Sequence, residues 1–482
     1  MADEVDHHVH GATATDLTRA EFENLITESD RPVPAWMSAF DSQLGHAILR
    51  HCAPVLGLDP HPDPDYYLQR RAELGVTEVN RRLLRAAGIG RYLVETGYRG
   101  AELLDPAGMA AASGSPADEI LRLEALAEQV APGDAAGFAD RFATVLFARL
   151  PLGPSQPPGL PAPGLAPSVP PPSGALASGA PASGLPAPGL AAPELASSGL
   201  PASGLPTPGL PAPGLAAPEL ATYGPPTSSL PTPGTPDHLT PALQMPDSPG
   251  PSGWEARDVR VGGGAVVRGL KTIVAYRYGL DFDPRRPTSR EVTRAAGRWL
   301  RAVDRGRVRL TDPVVMRHLI WTALDTGLPL QFHVGLGDPD VDLRRADPLL
   351  LRDFIELAEP TGVPLLLLHC YPFHRHAGLL AHSYPNVHFD VGLAVNHSGA
   401  RAKAVVAESL ETAPFAKLLF SSDAWGPAEL HFLGATLWRR AMASVVDGFV
   451  AEGEWSRRQA DRVTAMIGGE NARRVYRLDE HP

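Results

Sequence analysis

Cysteine is nearly missing from this chain: Cys52 and Cys370 are the only two in 482 residues. Two thiols cannot build a disulfide framework, so a reducing compartment is the default expectation. A basic excess is missing too. Lys and Arg number 43 against 54 Asp and Glu, a formal net charge of -11, which leaves no surplus to neutralise phosphates and argues against a nucleic-acid partner. No apolar run is long and uninterrupted enough to span a bilayer. The opening residues Met1-Ala2-Asp3-Glu4 are acidic and lack the basic and then apolar regions of an export signal. These absences read as a soluble cytoplasmic protein whose partner is a small molecule, with no membrane and no nucleic acid. Homo-oligomerisation is left open.

Proline and glycine, by contrast, are abundant, at 51 and 47 residues, and they cluster. From about 151 to 251 the chain is mostly Pro, Gly, Ala, Ser and Leu, and the stretch PAPGLAAPELA at 186–196 recurs at 211–221. Such a segment has too few aromatics to offset the entropy of ordering and too many prolines for helices or ladders, which predicts a disordered insert. Removing it leaves roughly 380 residues, enough for one large α/β barrel.

The remaining chain alternates. Residues 5–10 (VDHHVH) read as a strand. Helical spacing follows at 18–27, 34–56 and 65–87, a helical excursion, before a strand at 91–96. Residues 119–130 suit a strand, a helix or one after the other, and 135–150 a helix. Beyond the insert, strands are expected at 266–274, 329–334, 364–369, 387–391 and 417–423. Helices are expected between them at 289–303, 312–326, 348–358, 375–383 and 399–409. Apolar strands alternating with helices argue for a parallel sheet covered on both faces. With the ambiguous stretch as the third strand, about eight strands result, the number that closes a TIM-type (β/α)8 barrel. Paired histidines precede the insert and their candidate partners follow it. Residues 1–150 and 252–482 are therefore expected to be two parts of one barrel around the insert at 151–251.

On a strand, His8 and His10 share a face and can grip one divalent ion, whereas His7 should point the other way, against the outer helices. His10, Lys271, His333, His369 and Asp423 all fall at or near C-terminal strand ends, where a parallel barrel gathers its chemistry. A lone strand-end histidine is more often structural, so the convergence carries the argument. Other residues have blander readings. Cys370 reads as a small core residue pointing away from the site, Gly335 to Asp338 as an ordinary turn or a loop over the site, and Glu429 and His431 as pocket rim or helix start. His397, just past a strand end, can reach substrate or be structural. Gly262-Gly263-Gly264 has no strand before it or helix after it, so it is not a dinucleotide fingerprint.

Several of these motifs together resemble one superfamily. Asp6-His7-His8-Val9-His10 resembles the D-x-H-x-H start of metal-dependent amidohydrolases, His333 their fifth-strand ligand, His369 their sixth-strand histidine and Asp423 their eighth-strand aspartate. The 469–476 stretch GENARRVY is similar to their closing helix. More narrowly, the motifs at 369–373, 390–397 and 422–426 resemble the amidohydrolase domains fused to glutamine synthetase-like domains in nodulin-related and FluG-like proteins. The resemblance implies a zinc-type ion held by His8, His10, His333 and Asp423, with a water whose pKa it lowers and Asp423 as proton acceptor. His369 becomes either a catalytic residue that polarises substrate or a ligand of a second ion. The amidohydrolase-2 branch implies one ion. Two are implied if Lys271 is carboxylated and bridges them. The alternative for Lys271 is a partner for a substrate carboxylate or a neighbouring acid. Arg277 can fork onto a substrate carboxylate or make a surface salt bridge. The expected activity is cleavage of an amide-type C–N bond, possible substrates including γ-glutamyl amides. A decarboxylase with the same ligands and a non-enzymatic scaffold that recruits partners through the proline-rich loop are the alternatives.

Overall fold

The computed structural model describes residues 4–150, 265–303, 305–306 and 308–479. The insert expected at 151–251 lies outside them. Seven strands form one sheet in sequence order, each parallel to the next: β1 (Val5–Val9), β2 (Arg91–Glu95), β3 (Ala117–Arg122), β4 (Val267–Thr272), β5 (Leu330–His333), β6 (Leu365–Leu368) and β7 (Val387–Phe389). Strands from both sides of residues 151–264 thus pair directly, β3 with β4.

The strand expected at 417–423 is the main departure. It makes only an isolated parallel bridge, Phe389 to Leu418, and no regular ladder. The segment nevertheless lies between the sheet's two edges. Leu419 N–H donates to Phe389 on the β7 side, and on the β1 side His7 N–H donates to Phe420 and Asp423 N–H to His8. The expected barrel is therefore seen as seven regular strands plus one irregular connecting segment.

Each helix follows from its apolar spacing. Val79, Leu83, Leu84 and Ala87 are the buried stripe of Val76–Ala87, and Val292, Ala295, Ala296, Trp299 and Leu300 that of Ser289–Val303. The long helix expected at 65–87 is two, Pro64–Leu74 and Val76–Ala87, divided at Gly75, whose φ of 71° no helix accommodates. At 34–56 regular helix begins only at Gln43. The ambiguous stretch resolves as strand Ala117–Arg122 followed by helix Leu123–Gln129.

Two apolar layers result. The larger lies between sheet and helices. The smaller joins Val5, Leu93, Ile120, Leu366, Leu368 and Leu419 with Tyr476 and its neighbours from the C-terminal segment. Among the described residues no helix is long and apolar enough to cross a membrane.

Candidate metal and catalytic site

The site begins with an irregularity in β1. Asp6 is opposite Tyr92 and Val9 opposite Val94, so three steps of β1 run against two of β2. The extra residue is a bulge, and it breaks strict alternation. His8 and His10 still converge, as expected. His7 does not turn to the outer helices: its Nδ1 lies 3.1 Å from the Tyr476 hydroxyl and its Nε2 3.1 Å from Asp390 Oδ2. Since Tyr476 belongs to the inner apolar layer, the bulge has brought His7 to the interior along with His8 and His10.

Above it, ligand atoms of His8, His10 and Asp423 all lie within 4.8 Å of one another. Asp423 Oδ1 is 3.1 Å from His8 Nε2 and 3.8 Å from His10 Nε2, and Oδ2 is 3.3 Å from His369 Nε2. His333 is outside this trio. Its ring centroid is 4.3 Å from that of His369, and its buried Nε2 has no hydrogen-bond partner. Lys271 Nζ lies 2.8 Å from His8 Nε2. Arg277 lines the cavity and pairs with Glu128 at 3.0 Å. His397 is not on the cavity wall. It holds Glu28, which is, at 3.2 Å. Glu429 and His431 are buried, not at a rim: Glu429 pairs with Arg71, and His431 Nε2 contacts the His10 carbonyl. Cys370 is buried, with Sγ 3.2 Å from the Leu367 carbonyl.

Burial sets the electrostatics. It lowers His8 to about 3, with Lys271 adding to the effect, and it holds His333 well below its usual value, aided by His369 and Lys271. Both rings are therefore neutral, the form that offers a lone pair. Burial also lowers Lys271, against the pull of Asp423 and Glu95. For Asp423 burial works upward, but His369, His8 and Lys271 outweigh it and keep the carboxylate ionised.

The backbone is strained where the side chains converge. His369, Cys370 and Asp423 have φ of 49°, 46° and 48°, a region that costs non-glycine residues roughly 1–3 kcal/mol each. Two buried carboxylates hold these bends. Asp390 Oδ1 accepts from His369 N–H at 2.8 Å, Gly392 N–H at 2.8 Å and Ser421 Oγ at 2.9 Å. Asp6 accepts from both N–H and Oγ of Ser422, next to Asp423. Glu95, the last residue of β2, is a third such support: its Oε2 is 2.9 Å from His10 Nδ1 and 2.6 Å from Arg122 Nη2.

A divalent ion fits these donors. Asp423 Oδ1, His333 Nε2 and His369 Nε2 are buried polar atoms without hydrogen-bond partners, which is costly unless something else satisfies them. Imidazole and carboxylate together suit zinc-type ions. The site opens into a cavity of about 660 Å³ that also draws Tyr98, Arg122, Tyr276 and Trp425 from four different loops and strand ends.

Comparison with known proteins agrees with this geometry. The amidohydrolase family model matches residues 253–478, the part that carries His333, His369 and Asp423. The chain is 33% identical over 231 residues to protein fluG of Emericella nidulans, 45% of this chain and 26% of that one. The match thus spans about a quarter of the relative's length. Among solved structures, a chain described as a metal-dependent hydrolase from Lactobacillus casei ATCC 334 superposes with a TM-score of 0.67 at 20% identity, covering 99% of this chain and 95% of that one. Glucuronate isomerase from Caulobacter crescentus gives 0.51 at 12% identity, covering 100% and 92%. At such identities the likeness speaks for fold alone.

Glu95, Arg122 and Tyr98 are site residues that sequence reasoning does not single out, and Tyr276 and Asp390 are ones to which it gives no role. The signal they offer is position: Glu95 and Arg122 are charged residues ending strands, and Lys271 stands one residue before the end of its own.

Proposed function

We propose that this chain is an amidohydrolase, a metal-dependent hydrolase that cleaves an amide-type C–N bond, with γ-glutamyl amides as the first substrate class to test. The observation that carries the reading is the convergence of His8, His10 and Asp423 within 4.8 Å, brought by β1 and by the irregular segment after β7. His333, with its unsatisfied Nε2, is the proposed fourth ligand of a single zinc-type ion. Such an ion, when bound, supplies Lewis-acid activation of water and of the substrate carbonyl.

The side chains divide the remaining work. Asp423, ionised at working pH, accepts the proton of the attacking water at Oδ2. His369 stands next in line, with Nδ1 3.1 Å from the Val334 carbonyl. That contact places the Nδ1 proton on the carbonyl and leaves Nε2, 3.3 Å from Asp423 Oδ2, as acceptor. His369 can then pass the proton to the leaving nitrogen. Lys271, beside His8, is proposed to contact the substrate or the ion's ligand shell. The γ-glutamyl element is supported by the resemblance of the 369–373, 390–397 and 422–426 motifs to the synthetase-fused amidohydrolase domains. We further read 1–150 and 252–482 as two parts of one eight-membered barrel, with 151–251 as an insert in it.

Metal analysis of the purified chain and of His8→Ala tests the site. The expected result is near-stoichiometric metal in the parent and loss of it in the variant; full metal in His8→Ala would refute the ligand set. Amine release from γ-glutamyl and acyl amides, absent in Asp423→Asn, tests the reaction, and carbon dioxide release in its place would indicate a decarboxylase.

A further inference from the structure

Arginines and carboxylates both line the cavity, Arg99 pairing with Glu102 and Arg309 with Asp340. Its imidazoles and Asp423 come from β1, β5, β6 and the segment after β7. Arg99, Arg122, Arg277 and Arg309 come from β2, β3, β4 and the loops that follow them. Arg122 is the deepest of the four, at 8% exposure. One of its guanidinium nitrogens donates to Glu95, and its Cζ stands 5.6 Å from the Tyr98 ring centroid. Its Nε has no partner. Arg277, in the short helix Val274–Arg277, contacts Glu128 and the Leu310 carbonyl through Nη1, and its Nε also lacks a partner. The acids fix the two forks in place and leave the Nε of each without a partner. A buried guanidinium with unused donors is costly, and a planar carboxylate is the group whose geometry matches it.

We infer that the substrate carries a free carboxylate, received by Arg122 and Arg277 on the β3–β4 wall while its amide lies across the cavity at Asp423 and His369. This inference rests on the proposed hydrolase reading and narrows its substrate class to amides whose acyl part ends in an acid.

The test is titration calorimetry on the full chain with two probes of equal length, 4-carbamoylbutanoate and glutaramide. They differ in one carboxylate and neither need be turned over. The expected result is that the acid binds roughly tenfold tighter or more than the diamide. Arg277→Gln should remove most of that preference without changing diamide affinity or metal content, and Arg122→Lys should also reduce the preference, its metal content being measured alongside. Failure of the acid to bind, equal binding of the two probes, or a preference that persists in both variants overturns the inference. Because the readout is affinity, loss of metal in His8→Ala and loss of acid preference in Arg277→Gln report separately on the hydrolase reading and on the carboxylate site.

Discussion

Glu95→Gln is the substitution that most directly asks whether the support of the proposed ligands matters. Glu95 is fully buried and makes three contacts: Oε1 accepts from Gly97 N–H at 2.6 Å, and Oε2 faces His10 Nδ1 at 2.9 Å and Arg122 Nη2 at 2.6 Å. Gly97 and Arg122 donate to it, and His10 Nδ1 faces the same carboxylate within ion-pair distance. Burial works to raise its pKa, but Arg122 and His10 outweigh it and hold the carboxylate ionised. Glutamine has the same shape but only one oxygen. With that oxygen toward Gly97, the amide NH2 meets two donors. With it toward His10 and Arg122, the NH2 meets the Gly97 N–H. The first arrangement forces the His10 ring to carry its proton on Nε2, the nitrogen on the Asp423 side, where it cannot ligate. Loss of an oriented carboxylate behind a ligating histidine typically weakens metal affinity 10- to 100-fold, or about 1.4–2.7 kcal/mol. Leaving Arg122 without its counter-charge adds a folding cost of about 3 kcal/mol. The assay is competition against a chelator of known affinity, paired with urea unfolding. Glu128→Gln is the control, since Glu128 pairs with Arg277 and touches no imidazole. A Glu95→Gln protein that binds metal as tightly as the parent would refute the argument that Glu95 sets the His10 tautomer.

Three further outcomes are expected. His388 is held near 3 by burial, with Lys417 and Arg474 adding to it. Its folded pKa lies below the unfolded 6.5, so its penalty is absent above that pH and grows as pH falls, costing about 4 kcal/mol by about pH 3.5. Acid-induced unfolding of His388→Gln should show that much less pH dependence. Glu429→Ala strands the buried guanidinium of Arg71 and the Tyr67 hydroxyl, both 2.9 Å from Glu429 Oε1, and should cost about 3–5 kcal/mol in denaturant unfolding without altering metal stoichiometry. A Cβ on Gly434 would stand 2.4 Å from the Ser422 Cβ. Gly434→Ala should therefore displace the neighbouring Asp423, seen as weaker metal binding beyond the roughly 1–3 kcal/mol of overpacking.

Coarse periodicity and the ends of strands are legible in the sequence. Helix Ser289–Val303 is readable because Val292, Ala296 and Trp299 fall on one stripe, and His333 and His369 because they terminate apolar runs. The bulge in β1 is not legible. Alternation assigns His7 outward, and only its pairing with Asp390 and Tyr476, residues 383 and 469 positions away, shows why one extra residue is tolerated there. The irregular closure at 418–423 is hidden for a related reason. Its composition is that of a strand, yet Asp423 must leave the β region to bring both carboxylate oxygens to the imidazoles, and the cost of that turn is offset by Asp6 through Ser422. Glu95 and Asp390 escape because a carboxylate that supports a ligand leaves no spacing of its own. Its role exists only once the chain has folded a proton donor onto it. Among the residues that sequence reasoning finds are those that would contact the ion, and among those it misses are the carboxylates that hold them at their angles, which is why Glu95→Gln separates a site that merely contains the right atoms from one built to use them.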